Sequence, residues 1–166
     1  ARAFEGGSGP AAALAAEDAG TGTAEGAAAP PSAGGAEGVS PPSRLRHWPV
    51  QMHLINPGAE YFRGTDLLLA ADCTACAYGG FHEDLLNGKT LAIACPKLDT
   101  RMEVYLRKLI SLIEDARINT LTVAMMEVPC CSGLLGLAKQ AAEQAGRKIP
   151  VKRIVISAEG RILKEE

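Results

Sequence analysis

The chain has 166 residues, a formal net charge of −2 and 47% hydrophobic residues, enough for one domain with a core of its own. Without a long lysine or arginine run there is no electrostatic footprint for nucleic acid or an anionic membrane; Arg44, Arg46 and His47 form the only local basic cluster near the start of the folded part, which a solvated linker end explains at least as well. No apolar run approaches the ~18 residues of a membrane span and the start lacks the regions of a signal peptide, so a cytoplasmic protein is expected. The absence of an initiating methionine points to a processed or truncated chain.

Residues 1–43 are almost entirely Ala, Gly, Pro, Ser, Thr and Glu, with Phe4 and Leu14 as the large apolar exceptions. Such a composition buries too little apolar surface to offset an ordering entropy of about 1–2 kcal/mol per residue, which predicts a disordered linker, with at most a marginal helix at AAALAAEDA. The second domain, residues 44–166, opens at LRHWPVQMHLINP. There Trp48, Val50, Met52 and Leu54 alternate with polar residues, predicting a half-buried strand ended by Asn56-Pro57.

GTDLLLAADC reads as a buried strand stopping at Asp72-Cys73, TACAYGGFHEDLLNGK as a short helix and loop, and TLAIACP as a second buried strand stopped by Pro96. In RMEVYLRKLISLIEDA, the residues Met102, Tyr105, Leu106, Leu109, Ile110 and Ile113 share one helical stripe, with Thr100 and Glu103 as a capping box. INTLTVAMMEV follows as a buried strand, SGLLGLAKQAAEQAG as a helix ending at Gly146, and VKRIVIS as a last strand, after which GRILKEE adds an edge piece or frays. Strands alternating with helices over short connections mean right-handed βαβ units. The expected architecture is a three-layer α/β domain with a parallel sheet, Rossmann-like or flavodoxin-like.

There are five cysteines, and in a reducing compartment these are thiols, metal ligands or redox groups rather than a disulfide framework. Cys73, Cys95, Cys130 and Cys131 fall at the carboxyl ends of predicted parallel strands, and Cys76 one turn after Cys73. That edge of an open parallel sheet is where ligands bind. A cysteine in the first turn of a helix meets unpaired N–H groups and the positive end of the helix dipole, which favours the thiolate. Soft thiolates select Fe–S clusters, Zn²⁺ or Cu(I), and four of them complete a cubane or a structural zinc site. In MEVPCCSGL, Pro129 fits a strand end, while Ser132 and Gly133 allow a tight turn into the helix.

Other readings stand beside this one. Each thiol taken singly is also explained by core packing, and Met125 and Met126 read as core. His82 reads as a surface or capping residue. Asp72 and Glu127 sit beside cysteines, where a carboxylate orients a ligand, acts as a base, or is simply solvated. Lys97 and Asp99 fit a turn and a helix cap.

On the words RLRHWPVQMHLINP, DLLLAADC, GKTLAIACPKLD and MEVPCCSGL, the chain from residue 44 to about 160 resembles a family of 4Fe–4S ferredoxin-type iron–sulfur-binding proteins of anaerobic bacteria and archaea. The resemblance implies electron transfer or redox chemistry, with Cys73, Cys95, Cys130 and Cys131 at the motif positions and Cys76 at a variable one. Family members look like two-part chains in which a ferredoxin-like module with two cysteine-rich motifs precedes a linker and this domain. Here no cysteine precedes residue 44, so the chain is either the C-terminal part of a longer protein or a version without the module.

Three functions therefore enter the structural analysis. The first is an iron–sulfur site, 4Fe–4S before zinc, on Cys73, Cys95, Cys130 and Cys131 with Cys76 beside them, serving a redox partner or the N-terminal module. The second is a thiol or zinc enzyme using Cys130 or Cys131, with Asp72 and Asp99 near a metal-activated water. The third is a docking module with structural cysteines.

Overall fold

The computed structural model describes residues 41–165. The expected linker lies, up to residue 40, outside the described residues, as does the marginal helix within it.

The apolar runs become strands and the periodic segments helices. In chain order these are β1 (Asp66–Ala71), α1 (Thr74–Ala77), β2 (Lys89–Ala94), α2 (Met102–Glu114), β3 (Thr120–Met126), α3 (Ser132–Gln144), β4 (Val151–Ile156) and β5 (Ile162–Glu165). A π-helical turn, Phe81–Leu86, links α1 to β2, and 3-10 turns occupy Glu60–Phe62 and Pro129–Cys131. The sheet runs in the order β2-β1-β3-β4-β5, parallel except for β5. None of the helices among the described residues is long and apolar enough to cross a membrane.

From β1 the chain moves one way to β2; from β3 it moves the other way to β4. Right-handed crossovers therefore put α2 and α3 together on one face, where they pack against each other, and the α1 to Leu86 connection on the opposite face. β1 is covered on both sides, with Leu67, Leu68, Leu69 and Ala70 wholly buried. The predicted stripe of α2 supplies the facing layer: Tyr105, Leu109, Leu112 and Ile113 are buried, while Met102, Leu106 and Ile110 are partly buried against the same core.

Two local expectations are corrected. The first segment does not form a strand; it makes a single parallel bridge, Gln51 to Ile93. Pro49 has no N–H for a ladder, and at Gln51 the chain turns away, its carbonyl accepting from both Leu54 N–H and Ile55 N–H. The expected alternation breaks with it: Val50 and Met52 are buried, but Trp48 is 74% and Leu54 67% exposed. The capping box also fails, because Arg101 takes the N-cap position of α2 in a left-handed conformation (φ 56°) with no side-chain cap.

The strap formed by residues 47–52 nonetheless closes the outer edge of β2. Ile93 N–H donates to Val50 O (2.8 Å), Met52 N–H to Ile93 O (2.9 Å), and Leu91 N–H to the imidazole Nε2 of His47 (3.0 Å). His47 stacks on Tyr61, with ring centroids 4.3 Å apart. Burial holds its pKa below the ordinary 6.5, and since no hydrogen bond of good geometry reaches Nδ1, the Pro49 backbone offsets this only in part. After the bridge, the ammonium of Lys108 on α2 donates to the carbonyls of Met52 (2.9 Å), His53 (2.8 Å) and Ile55 (2.8 Å), gathering the turn onto the helix.

Replacing Lys108 with Met is expected to cost about 1–2 kcal/mol, since three carbonyls lose a charged donor; urea unfolding measures it. For His47 the sign follows from its lowered native pKa. The unfolded chain takes up the proton first, so the contribution is complete above 6.5 and is lost as pH falls from there through the lower native value. Urea midpoints compared at about pH 5 and about pH 7.5 should differ less in His47→Gln than in the parent.

Candidate thiol site at the sheet edge

The register carries the strand ends to one level. Ala71 pairs with Ala94, and the β1–β3 ladder runs from Asp66–Thr120 to Ala70–Ala124. Asp72 N–H still reaches Ala94 O at 3.2 Å. The loops beginning at Asp72, Cys95 and Glu127 thus leave the sheet side by side. The strand order reverses between β1 and β3, and in open α/β sheets this switch point opens the crevice in which ligands sit. Cys73 stands on one side of it, Cys130 and Cys131 on the other.

Cys73, Cys76 and Cys130 are exposed, Cys95 is half-buried and Cys131 is buried, all five as free thiols. The 3-10 turn Pro129–Cys131, closed by the Ser132 hydroxyl donating to Pro129 O (2.8 Å), separates the vicinal pair: Cys130 faces outward and Cys131, 5% exposed, turns into the core. Burial raises the Cys131 thiol above its ordinary value, more than the Met126 backbone hydrogen bond lowers it; the neighbouring Cys130 and the charge of Cys73 act in the same direction as burial. This corrects, for Cys131, the expectation that the start of the helix favours the thiolate. Desolvation in the turn is the largest cause of the rise.

The β2 loop joins the group through α3. A Cβ on Gly133 would lie 3.3 Å from Cβ of Pro96, so the glycine lets the first turn of α3 settle on the residue after Cys95. Asp72 and Asp99 are close enough to interact: the Asp72 carboxyl is raised first by burial around it, although the residue as a whole is exposed, and then by the charge of Asp99. Asp99 Oδ2 accepts from Cys95 N–H (2.8 Å) and from the Tyr105 hydroxyl (2.7 Å), so it does more than begin a turn.

Other candidates have different work. Glu127 receives Ala158 N–H on Oε1 (2.8 Å) and gives its own N–H to Ile156 O (2.8 Å), which latches the β4–β5 hairpin. His82 Nδ1 accepts Arg44 N–H (3.2 Å), and the adjacent Glu83 pairs with the Arg44 guanidinium (2.7 Å), so this segment anchors the start of the strap. Lys97 is exposed, Met125 and Met126 are core. Among the described residues no three His, Cys, Asp or Glu side chains are grouped so as to hold a metal ion.

Gln51 and Tyr105 were not legible as site residues. A tyrosine on an apolar stripe was the available signal, since its hydroxyl requires a polar partner once the ring is buried.

A three-layer α/β domain with its crevice at the switch point defines a Rossmann-like protein, and the chain belongs to the Rossmann-like domain family, which matches residues 59–166. It is 28% identical, over 119 residues, to an uncharacterised protein of Archaeoglobus fulgidus, covering 71% of this chain and 82% of that one. No solved structure matches the chain.

The hairpin between β4 and β5 also bears on the Cys73–Cys76 turn. Gly160 has φ +76°, and a Cβ there would strike the carbonyl oxygen of Ala77 at the end of α1. Gly160→Ala is therefore expected to cost about 1–3 kcal/mol, measured as a lower thermal midpoint, because both the turn and its contact must yield.

Proposed function

We propose that the carboxyl edge is a thiolate site for an iron–sulfur cluster and that the domain serves electron transfer. Cys73, Cys95, Cys130 and Cys131 are the ligands, with Cys76 beside them. The observation that carries this reading is the placement of four cysteines on the loops after three adjacent parallel strands, at the edge that holds the switch point. The donors fit such a group in kind, because soft sulfur ligands favour iron–sulfur clusters, Zn²⁺ and Cu(I) over hard cations.

Among the described residues they do not stand as a ready cage for one ion, so binding requires the loops to bring them closer together. When bound, a cluster accepts and releases a single electron. The chain's own residues have defined tasks. Cys130 and Cys73 are exposed as they stand, whereas Cys131 has to turn out of the core and give up its proton. The accessible free thiols of Cys73, Cys76 and Cys130 would suit this role in a reducing compartment. The electron is exchanged with a redox protein or with a ferredoxin-like module N-terminal to this domain.

A second reading draws on the exposed Cys130 beside buried Cys131: thiol chemistry with Cys130 as nucleophile.

Protein purified and reconstituted without oxygen is expected to contain iron and acid-labile sulfide and to show a visible absorption that reductant bleaches. Cys73→Ser, Cys95→Ser and Cys130→Ser should each lower iron content by about half or more, and Cys76→Ser should have little effect. Protein that takes up neither iron nor sulfide, while Cys130 alone is rapidly alkylated at neutral pH, would sink the cluster and leave the thiol reading.

A further inference from the structure

One carboxylate oxygen is the meeting point of three separate parts of the fold. Asp99 Oδ2 accepts from the backbone N–H of Cys95 (2.8 Å), from the hydroxyl of Tyr105 on α2 (2.7 Å) and from Nε2 of Gln51 in the strap (3.2 Å). The second hydrogen of the same Gln51 amide is directed to the Tyr105 hydroxyl (2.9 Å), and Gln51 Oε1 accepts His53 N–H (2.5 Å). The Tyr105 ring is wholly buried, so its hydroxyl has no freedom to wander.

The arrangement acts on Cys95 from both ends. Asp99 N–H donates to Cys95 O (2.9 Å) while Asp99 Oδ2 receives Cys95 N–H, a reciprocal closure of the same logic as a helix capping box. No helix uses it as a cap, because α2 begins only after the left-handed Arg101. What the closure holds is the residue that follows β2, with Pro96 pressed on Gly133 at the start of α3. The backbone that carries the Cys95 sulfur is thus tied to the strap, to α2 and to the loop that bears Cys130 and Cys131.

We propose that Asp99 is the positioning residue that fixes Cys95 relative to the other thiols, with Tyr105 and Gln51 holding its carboxylate in place. This rests on the thiolate-site reading above. It divides the ligands: Cys95 is held through its backbone by a side chain from its own loop, whereas Cys73 and Cys130 lie exposed.

The test is alkylation of the full chain with iodoacetamide before iron is added, read thiol by thiol by mass spectrometry. Asp99→Ala should speed the labelling of Cys95 relative to Cys73 in the same molecule by about fivefold, the factor that one net hydrogen bond represents. Asp99→Asn keeps an acceptor for Cys95 N–H and should restore most of the parent rate, and Tyr105→Phe should fall between. Should Asp99→Ala not fold, the latter two variants carry the comparison. An unchanged Cys95, or an equal acceleration of all five thiols, overturns the proposal, since the second is general loosening.

Iron reconstitution separates this proposal from the reading it rests on. If the parent binds iron and sulfide, Asp99→Ala should alter the visible and paramagnetic spectra at undiminished iron content, with Asp99→Asn close to the parent. If the parent binds neither while Cys95 labelling still responds to Asp99, the cluster is lost and the positioning role stands.

Discussion

The thiol edge depends on one strand and its two ladders. β1 pairs in parallel with β2 on one side and β3 on the other, and the pairing is specified by burial on both faces. Each buried leucine of Leu67–Leu69 is worth about 1.5–3 kcal/mol, and a slip of one residue would reverse the face on which every side chain falls. Cys73, Cys95 and the Cys130–Cys131 pair therefore line up because of leucine, alanine and valine packing. No attraction among the thiols is needed to collect them, and the protein can afford to hold several in a free state.

Legibility in the sequence follows the strength of the burial signal. Runs such as DLLLAA and LTVAMM have no plausible alternative partner to a covered parallel sheet, and the stripe on α2 is regular enough to mark its inner face. The strap was misread because Val50 and Met52 follow a two-residue period while Pro49 and the turn at Gln51 deny them a ladder. Thr100 and Glu103 have the spacing of a capping box, but spacing cannot disclose that Arg101 would adopt a left-handed conformation in front of the helix. The strand order and the antiparallel addition of β5 come from tertiary packing, which alternation of elements leaves open.

At the site itself, the identity of the cysteines was legible and their individual states were not. Two adjacent residues in a 3-10 turn diverge by about a third of a revolution, which is sufficient to put Cys130 in solvent and Cys131 in the core. For Cys131 the consequence is chemical as well: burial raises its thiol above the ordinary value. The carboxylates behave similarly. Glu127 and Asp99 both lie near cysteines in sequence, but one secures a hairpin and the other grips a loop, a distinction made only by which backbone N–H groups come within reach.

The sheet order also governs when the edge can exist. β1 is made early, but its partners on both sides come later in the chain, and among the described residues only β4 and β5 form a local hairpin. Non-local parallel pairing has to meet its loop-closure entropy before contacts reward it, which makes it slow. During synthesis the Cys73–Cys76 turn therefore emerges long before Cys130 has any strand to stand on. The gathered thiols are a late product of folding, and a chain interrupted before β3 carries its cysteines without the crevice.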